Sequence, residues 1–409
     1  MRDDVVITGL DQISSLGLTI PELDDAISAV RSGVSAYTLD LEGIDSAHVA
    51  VSRVNWDSSK SIAPSKVPMD RGTALALRVA ERAAAQAQLA AEGIDAQRLG
   101  IYWGSGMAGA HTFDHSCEML YAQHRRLRPT NVVTTMPNAP AAEIALLLQA
   151  QGACLSFACA CASSAVAIGE AMHAIRSGRL DVAVVGGSES MLSPGVIASW
   201  QAMRVLAPAG ETPAAACKPF DVHRSGFALG EGAAALVIES RQHALRRGVQ
   251  PLAILSGYGT SSDGMHITNP DAGGQMRAMR AALQDAGLQP EDIGYINAHG
   301  TATQAGDLAE STSIRGVFGE HAVPVSSTKA LHGHLLGAGG ALELIIALRS
   351  LATHRLPVAA HLSQPDPRVQ LRLVSPSDAD APQLSHVMSN AFAFGGTNAV
   401  LIASACRLT

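Results

Sequence analysis

The stretch FACACASSAVAIG, from Phe157 to Gly169, places Cys159 and Cys161 one residue apart, ahead of a run of small residues. Such a pair could be a metal clip, a redox couple, a nucleophile with a bystander, or two buried thiols. A zinc site needs two more ligands at suitable spacing, and the neighbourhood offers only Cys154, on what reads as the preceding strand. A redox couple normally has the Cys-x-x-Cys spacing, which is absent. Buried thiols are the default, since free cysteine is among the most buried residue types. The context favours a nucleophile: a strand ends in small residues, a cysteine follows, and Ala162, Ser163, Ser164 and Ala165 open a helix. A thiol at that junction feels the helix N-terminal dipole and free N–H groups, which favour thiolate and can hold an oxyanion. Cys161 fits that place, and Cys159 is expected to lie still within the strand.

A nucleophilic cysteine needs partners, and glycine-rich segments further along the chain supply them. NAHGTAT places His299 at the end of a strand. STKALHGHLLGAGG places Lys329 and His334 in a turn before an Ala/Gly/Leu helix that carries Glu343. NAFAFGGTN sets Phe394 against two glycines, where backbone amides can approach a substrate closely. Any one histidine would more often be structural; the set, each at a strand end or helix start, suits nucleophilic catalysis.

Other motifs read less sharply. Gly104 to Gly109 (GSGMAG) matches a dinucleotide fingerprint after a strand, but no acidic residue ends a second strand at the required distance. Tight packing explains those glycines better. His111 and His115 fall one helical turn apart near Cys117 without the glutamate of a HExxH site, and read as a polar helix face. His124, Arg125, Arg126 and Arg128 form a basic cluster, usually just solvated, that would also suit an acidic partner.

The elements that must position these groups follow from patterning. Short β-branched runs alternate with alanine-rich helical stretches, the signature of layered α/β architecture. Strands are predicted at VVITGL from Val5, LGIYWG from Leu99, DVAVVGG from Asp181 and AAALVIE from Ala233; a long helix after Asp70 is predicted to run to Gly93. From about Pro251 the pattern starts again, PLAILSGYG echoing VVITGL and VPVSSTKALHGHLLGAGG echoing ACLSFACACASSAVAIG. Two halves are expected, 1–250 with the cysteine and 251–409 with the His/Lys/His residues and Phe394. Of the 409 residues, 47% are hydrophobic, 16% charged and only 4% aromatic, so Ala, Gly, Leu and Val must fill the interior. A net charge of −7 gives no electrostatic case for nucleic acid as a partner. No signal peptide, no apolar run of membrane-spanning length and no dense disulfide framework among six cysteines are read, so a cytoplasmic protein is expected.

Over nearly its whole length the sequence resembles the β-ketoacyl-acyl carrier protein synthases of the thiolase superfamily, particularly the elongating type. The resemblance rests on ACASS with AIG, NAHGT, SSTK, GHLLGA, KPFDVHRSGFALGEGA, SSDGMHITNP and AFAFGGTN. It implies a thiolase-like duplicated αβαβα layered fold with two central mixed sheets. By the same resemblance Cys161 accepts an acyl chain, His299 and His334 hold the malonyl thioester, and Lys329 orients the site with Glu343. Phe394 gates the malonyl and acyl sides, and Thr301 and Thr303 contact the pantetheine arm. Met107 lines the acyl pocket, while His266, Thr268 and Phe392 border the substrate tunnel. No organic cofactor is implied; Asn297, Glu343, Ser389 and Asn390 resemble a structural monovalent-cation site. The implied partners are acyl- and malonyl-loaded acyl carrier protein, docked at Arg125, Arg126 and Arg128, and a second copy of the chain or a related subunit. Departures are Cys159 for threonine, His332 for threonine, Ala393 for glycine, Ser225 for aspartate and Gln304-Ala305 for Pro-Leu; several fall around the tunnel and bear on substrate choice. A degradative thiolase would need a second cysteine in a glycine-rich loop, which Cys406 lacks. A non-catalytic chain-length subunit is the alternative, though such subunits typically lack the cysteine.

Overall fold

Several strands of this chain are buried along their whole length, so both faces of the sheet they form must be covered. The computed structural model describes residues 4–61, 63–90, 93–381 and 383–406. In chain order the strands are β1 (Val5–Ile13), β2 (Val34–Leu41), β3 (Ile44–Ser52), β4 (Leu99–Gly104), β5 (Cys154–Phe157), β6 (Val182–Glu189) and β7 (Leu229–Gly230). They continue as β8 (Gly232–Ser240), β9 (Ala253–Ser262), β10 (Tyr295–Asn297), β11 (Pro324–Ser326), β12 (Arg372–Leu373), β13 (His386–Phe392) and β14 (Thr397–Ser404). Strands β2, β3 and β7 form a small sheet, and the other eleven run β12-β11-β10-β13-β14-β9-β1-β8-β6-β4-β5.

That order contains the same mixed motif twice. In β1-β8-β6-β4-β5 and in β9-β14-β13-β10-β11 the first two pairings are antiparallel and the next two are parallel. Specifically, β6/β8 and β13/β14 are antiparallel, while β4 pairs parallel with β5 and β6, and β10 with β11 and β13. The two five-stranded motifs meet through three antiparallel residue pairs, Val5–Ile7 against Ala253–Leu255, so the two mixed sheets are continuous at their seam.

Helices cover both faces of each motif. Arg71–Gln86 packs outside on β1, β6 and β8, and Ala272–Ala286 outside on β9 and β14. Between the motifs lie Ser163–Arg176 and Gly339–Thr353, packed on each other and on strands of both sets. The result is five layers, helix, sheet, helix, sheet, helix, with the largest buried cluster around the central helix pair. Leu336–Thr353 is long and apolar enough to cross a membrane, contrary to the expectation that no such run exists; most of it is buried as the core of this fold.

Two glycines at matching places let the outer helices approach. A Cβ on Gly9 of β1 would lie 2.2 Å from the Ala83 carbonyl oxygen, and one on Gly257 of β9 would lie 2.4 Å from that of Ala282. The sequence differs from the structure at two points. The helix expected to reach Gly93 ends at Gln86, because Gln88 takes φ 55 and turns the chain so that Leu89 is buried; a tertiary contact overrides alanine's propensity. Cys159 is not in β5, which stops at Phe157; it precedes the single turn Ala160–Ala162, and its N–H donates to Ser163 Oγ.

The matched glycines generate a prediction. Gly9→Ala and Gly257→Ala should each overpack a helix–strand contact by about 1–3 kcal/mol and lower the thermal midpoint measured by circular dichroism; an unchanged midpoint in both would mean that the helices are free to move outward.

Candidate active site

Both inner helices begin at one place, and the chemistry gathers there. After β5 the chain passes Ala160, held at φ 46, through Cys161 and into Ser163–Arg176. A non-glycine residue in that region costs on the order of 1–3 kcal/mol, strain of the kind found where a side chain is aimed for function. After β10 the chain places His299, whose N–H donates to Glu310 Oε1 at 2.8 Å, while Gly300 N–H donates to Glu310 Oε2 at 2.6 Å. After β11, Lys329 opens the short helix Lys329–His332, and His334 follows, its N–H donating to the Ala228 carbonyl at 2.7 Å.

These segments bring Cys161, His299 and His334 together. His334 Nε2 lies 3.1 Å from Cys161 Sγ, and one ring nitrogen of each histidine and the sulfur lie within 4.8 Å of one another. The two imidazoles meet edge to face at 5.4 Å between centroids. Behind them Lys329 Nζ pairs with Glu343 Oε1 at 2.5 Å, both side chains almost fully buried. The Phe394 backbone N–H points at the Cys161 sulfur, and the Phe394 ring stacks on Trp200 at 6.3 Å.

Burial decides the protonation states. It pushes the Cys161 thiol up to about 12, only partly offset by the Lys329 charge and the Phe394 N–H. The helix start was expected to favour thiolate; desolvation outweighs it here and the resting group is a thiol. Burial also holds His299 and His334 well below the ordinary imidazole range, with Lys329 adding to the effect on both. Both rings are therefore neutral and each carries one N–H donor. Glu343 is raised to about 7 by burial against the opposing pull of Lys329.

A cavity of about 270 Å3 opens onto this group. Thr301, Thr303, Thr268, Phe392 and Phe394 line it with Cys161 and both histidines, and the Phe392 ring stands 6.1 Å from His299. Thr303 also caps the helix Gln304–Phe318, its Oγ1 accepting from Gly306 N–H and standing 3.0 Å from Thr301 Oγ1. His266 does not line the cavity: it is exposed, and its Nδ1 accepts the N–H groups of Thr268 and Asn269, bracing the rim loop. Met107 does not line it either and is 40% exposed. Arg125, Arg126 and Arg128 are all exposed, after the turn Glu118–Ala122. Asn297 and Ser389 sit side by side across the β10/β13 pairing, with buried Asn390 next along β13.

The glycine-rich and histidine motifs resolve physically. In the loop Ser105–Met107 the N–H groups of Gly106 and Met107 donate to the Glu189 carboxylate, and a Cβ on Gly104 would lie 2.3 Å from Ser164 N, so a pyrophosphate finds neither donors nor room. His115 pairs with Glu118 on an exposed face; among the described residues the metal-competent group is Cys161, His299 and His334 instead. Sequence reasoning passed over Glu189, Glu310 and Phe227, the last standing edge-on to His334 at 5.0 Å. The signal for Glu189 was a carboxylate closing the otherwise uncharged strand VAVVGGSE, and for Glu310 one on the inward face of a helix three residues after Asp307.

Comparison with known proteins agrees with this geometry. Residues 2–244 match the N-terminal domain of the β-ketoacyl synthases and residues 252–363 the C-terminal domain. The chain is 37% identical to "3-oxoacyl-[acyl-carrier-protein] synthase 2" of Staphylococcus aureus (strain N315), over 97% of each chain. It superposes on a crystal structure of a β-ketoacyl synthase from Burkholderia phymatum STM815 with a TM-score of 0.92 and 33% identity, covering 99% of this chain and 100% of that one. Against the ishigamide ketosynthase/chain length factor the TM-score is 0.90 at 31% identity, with both chains fully covered. A duplicated five-layer fold, a buried cysteine under two neutral histidines and these matches together place the chain in the β-ketoacyl synthase family of thiolase-like condensing enzymes, acyltransferases that elongate carrier-bound acyl chains.

Proposed function

We propose that the chain catalyses decarboxylative Claisen condensation between an acyl group held on Cys161 and malonyl-acyl carrier protein. The observation that carries this reading is the Cys161, His299 and His334 group within 4.8 Å at the floor of the cavity. In the first half-reaction the Cys161 sulfur attacks a carrier-bound thioester, and the pantetheine sulfur leaves with the proton that Cys161 gives up. His334, 3.1 Å from the sulfur, is placed to relay that proton. The Phe394 N–H supports the oxyanion.

In the second half-reaction malonyl thioester loses carbon dioxide, and its electron pair becomes an enolate. Neutral His299 and His334 donate to the thioester oxygen as charge develops there, which a pair of imidazolium ions buried beside Lys329 could not do without great desolvation cost. The enolate carbon attacks the acyl-Cys161 carbonyl, the tetrahedral adduct collapses, and Cys161 leaves as thiolate and regains a proton. Lys329 and Glu343 act as the electrostatic support, Thr301 and Thr303 as pantetheine contacts, and Phe394 as the gate. The reading divides the chain into 1–250 with the nucleophile and 251–409 with the histidines, lysine and gate. The unpartnered oxygens Asn297 Oδ1 and Asn390 Oδ1, near Ser389 and Glu343, support a structural monovalent cation there.

The acyl carrier protein is the partner, with Arg125, Arg126 and Arg128 as its dock. A second copy of this chain is the subunit partner. Its support is β5, the unpaired edge of the large sheet, where Leu155 is 45% exposed, with Phe113, Tyr121 and Val132 exposed as well. All six cysteines are free, which suits the reducing cytoplasm.

Four outcomes test this reading. Incubation with acyl carrier proteins of varied chain length, followed by intact mass, should give an adduct on wild type and none on Cys161→Ala. His299→Ala should still load, because His334 and not His299 contacts the sulfur, yet lose on the order of 10²–10³ in condensation rate. An equal loss in loading would sink that division of labour. Alkylation of Cys161 by iodoacetamide should be slow and climb about tenfold per pH unit between about pH 7 and 9, as for a thiol titrating above that range; a plateau below pH 8 would show a thiolate already formed. Leu155→Arg should lower the mass seen by light scattering from dimer to monomer, whereas a monomeric wild type would point to a related second subunit.

A further inference from the structure

Glu189 closes β6 inside the protein, 1% exposed, and the reaction outlined above makes no use of it. Four donors converge on its carboxylate and no cation is among them. Oε1 accepts Ser105 Oγ at 3.0 Å and the Met107 N–H at 3.1 Å; Oε2 accepts the Gly106 N–H at 2.6 Å and the Gly337 N–H at 3.0 Å. Three of the donors belong to the loop after β4, and the fourth belongs to the turn Leu336–Ala338 that joins His334 to the helix Gly339–Thr353. One carboxylate thus ties together the two segments that come from opposite halves of the chain.

What it holds in place borders the chemistry. Leu336 sits at φ 43, a region a branched side chain enters only under constraint, and its side chain lines the cavity with Cys161 and His334. The next residue supplies the N–H that Glu189 receives. Clearance is minimal, since a Cβ on Gly337 would lie 2.3 Å from Gly106 N and 2.7 Å from Glu189 Oε2. We infer that Glu189 is a positioning residue for acyl transfer: by clamping the Ser105–Met107 loop to the Leu336–Ala338 turn it fixes the Leu336 wall beside Cys161. Burial raises its carboxyl to about 7 against the four donors, in keeping with a group held by hydrogen bonds alone.

This inference rests on the reading of Cys161 as the acyl acceptor, and its test separates the two. Glu189→Gln keeps the volume but sets an amide NH2 against at least one backbone N–H whichever way it turns, that of Met107 in one orientation and those of Gly106 and Gly337 in the other. Folded Glu189→Gln, judged by circular dichroism and gel filtration, should load acyl groups with kcat reduced about tenfold or more and KM for acyl carrier protein little changed. A merely structural role would instead lower the thermal midpoint and leave kcat of the folded protein as in wild type, and that result would overturn the inference. Should Glu189→Gln fail to fold, Ser105→Ala, which removes one donor, decides: a two- to threefold loss in loading kcat supports the clamp and an unchanged kcat overturns it. Should wild type itself fail to load, the function reading falls, and iodoacetamide alkylation of Cys161 decides for Glu189 alone: a rate altered severalfold in the variant supports the clamp, and an equal rate overturns it.

Discussion

A lysine and a carboxylate out of reach of water set the terms for everything near them. Lys329 and Glu343 stand 2.5 Å apart with almost no exposure, one on the short helix after β11 and the other on the central helix. Burying two charges costs several kcal/mol each before their attraction is counted, and removing one partner from such a pair typically costs about 3–5 kcal/mol. The protein keeps the pair and uses its field. The Lys329 charge opposes protonation of His299, His332 and His334 and draws the Cys161 thiol down from where burial alone would leave it. Burial is the larger cause of the neutral rings and of the raised thiol; the one cation reinforces the first and partly offsets the second.

Duplication supplies the geometry that this pair requires. Each half ends a parallel strand near the centre of the molecule and starts an inner helix there, so the cysteine of one half and the histidines of the other converge without a long loop. The packing is achieved with small side chains: the central helix pair is lined by alanine, leucine and isoleucine, and glycine permits contact where even a methyl group would collide. The 4% aromatic content is thus the composition of close-packed layers, and four of its rings, Trp200, Phe227, Phe392 and Phe394, line the cavity.

Much of this was legible in the sequence. Alternation of β-branched runs with alanine-rich stretches gave the layers, and a repeated order of strand and helix gave the doubling. Glycine-rich turns carrying Cys161, His299, Lys329 and His334 marked the strand ends where chemistry gathers. Distance-dependent effects were not legible. Desolvation of the Cys161 thiol depends on how many groups enclose it, and no local pattern reports that. The same holds for the early end of the helix at Gln86, set by a burial contact of Leu89, and for Met107, which lies outside the cavity of a single chain. Glu189 and Glu310 were missed because a buried carboxylate declares itself only through the backbone N–H groups that fold back onto it.

The central helix pair also governs how the protein must be made. Ser163–Arg176 leaves the ribosome long before Gly339–Thr353, yet each is the other's cover. Until the second is synthesised, the nascent first half carries an uncovered apolar layer, and the last step of folding waits for nearly the whole chain. A protein built this way depends on its own late segment, or on chaperones holding the early one, to remain dispersed during translation.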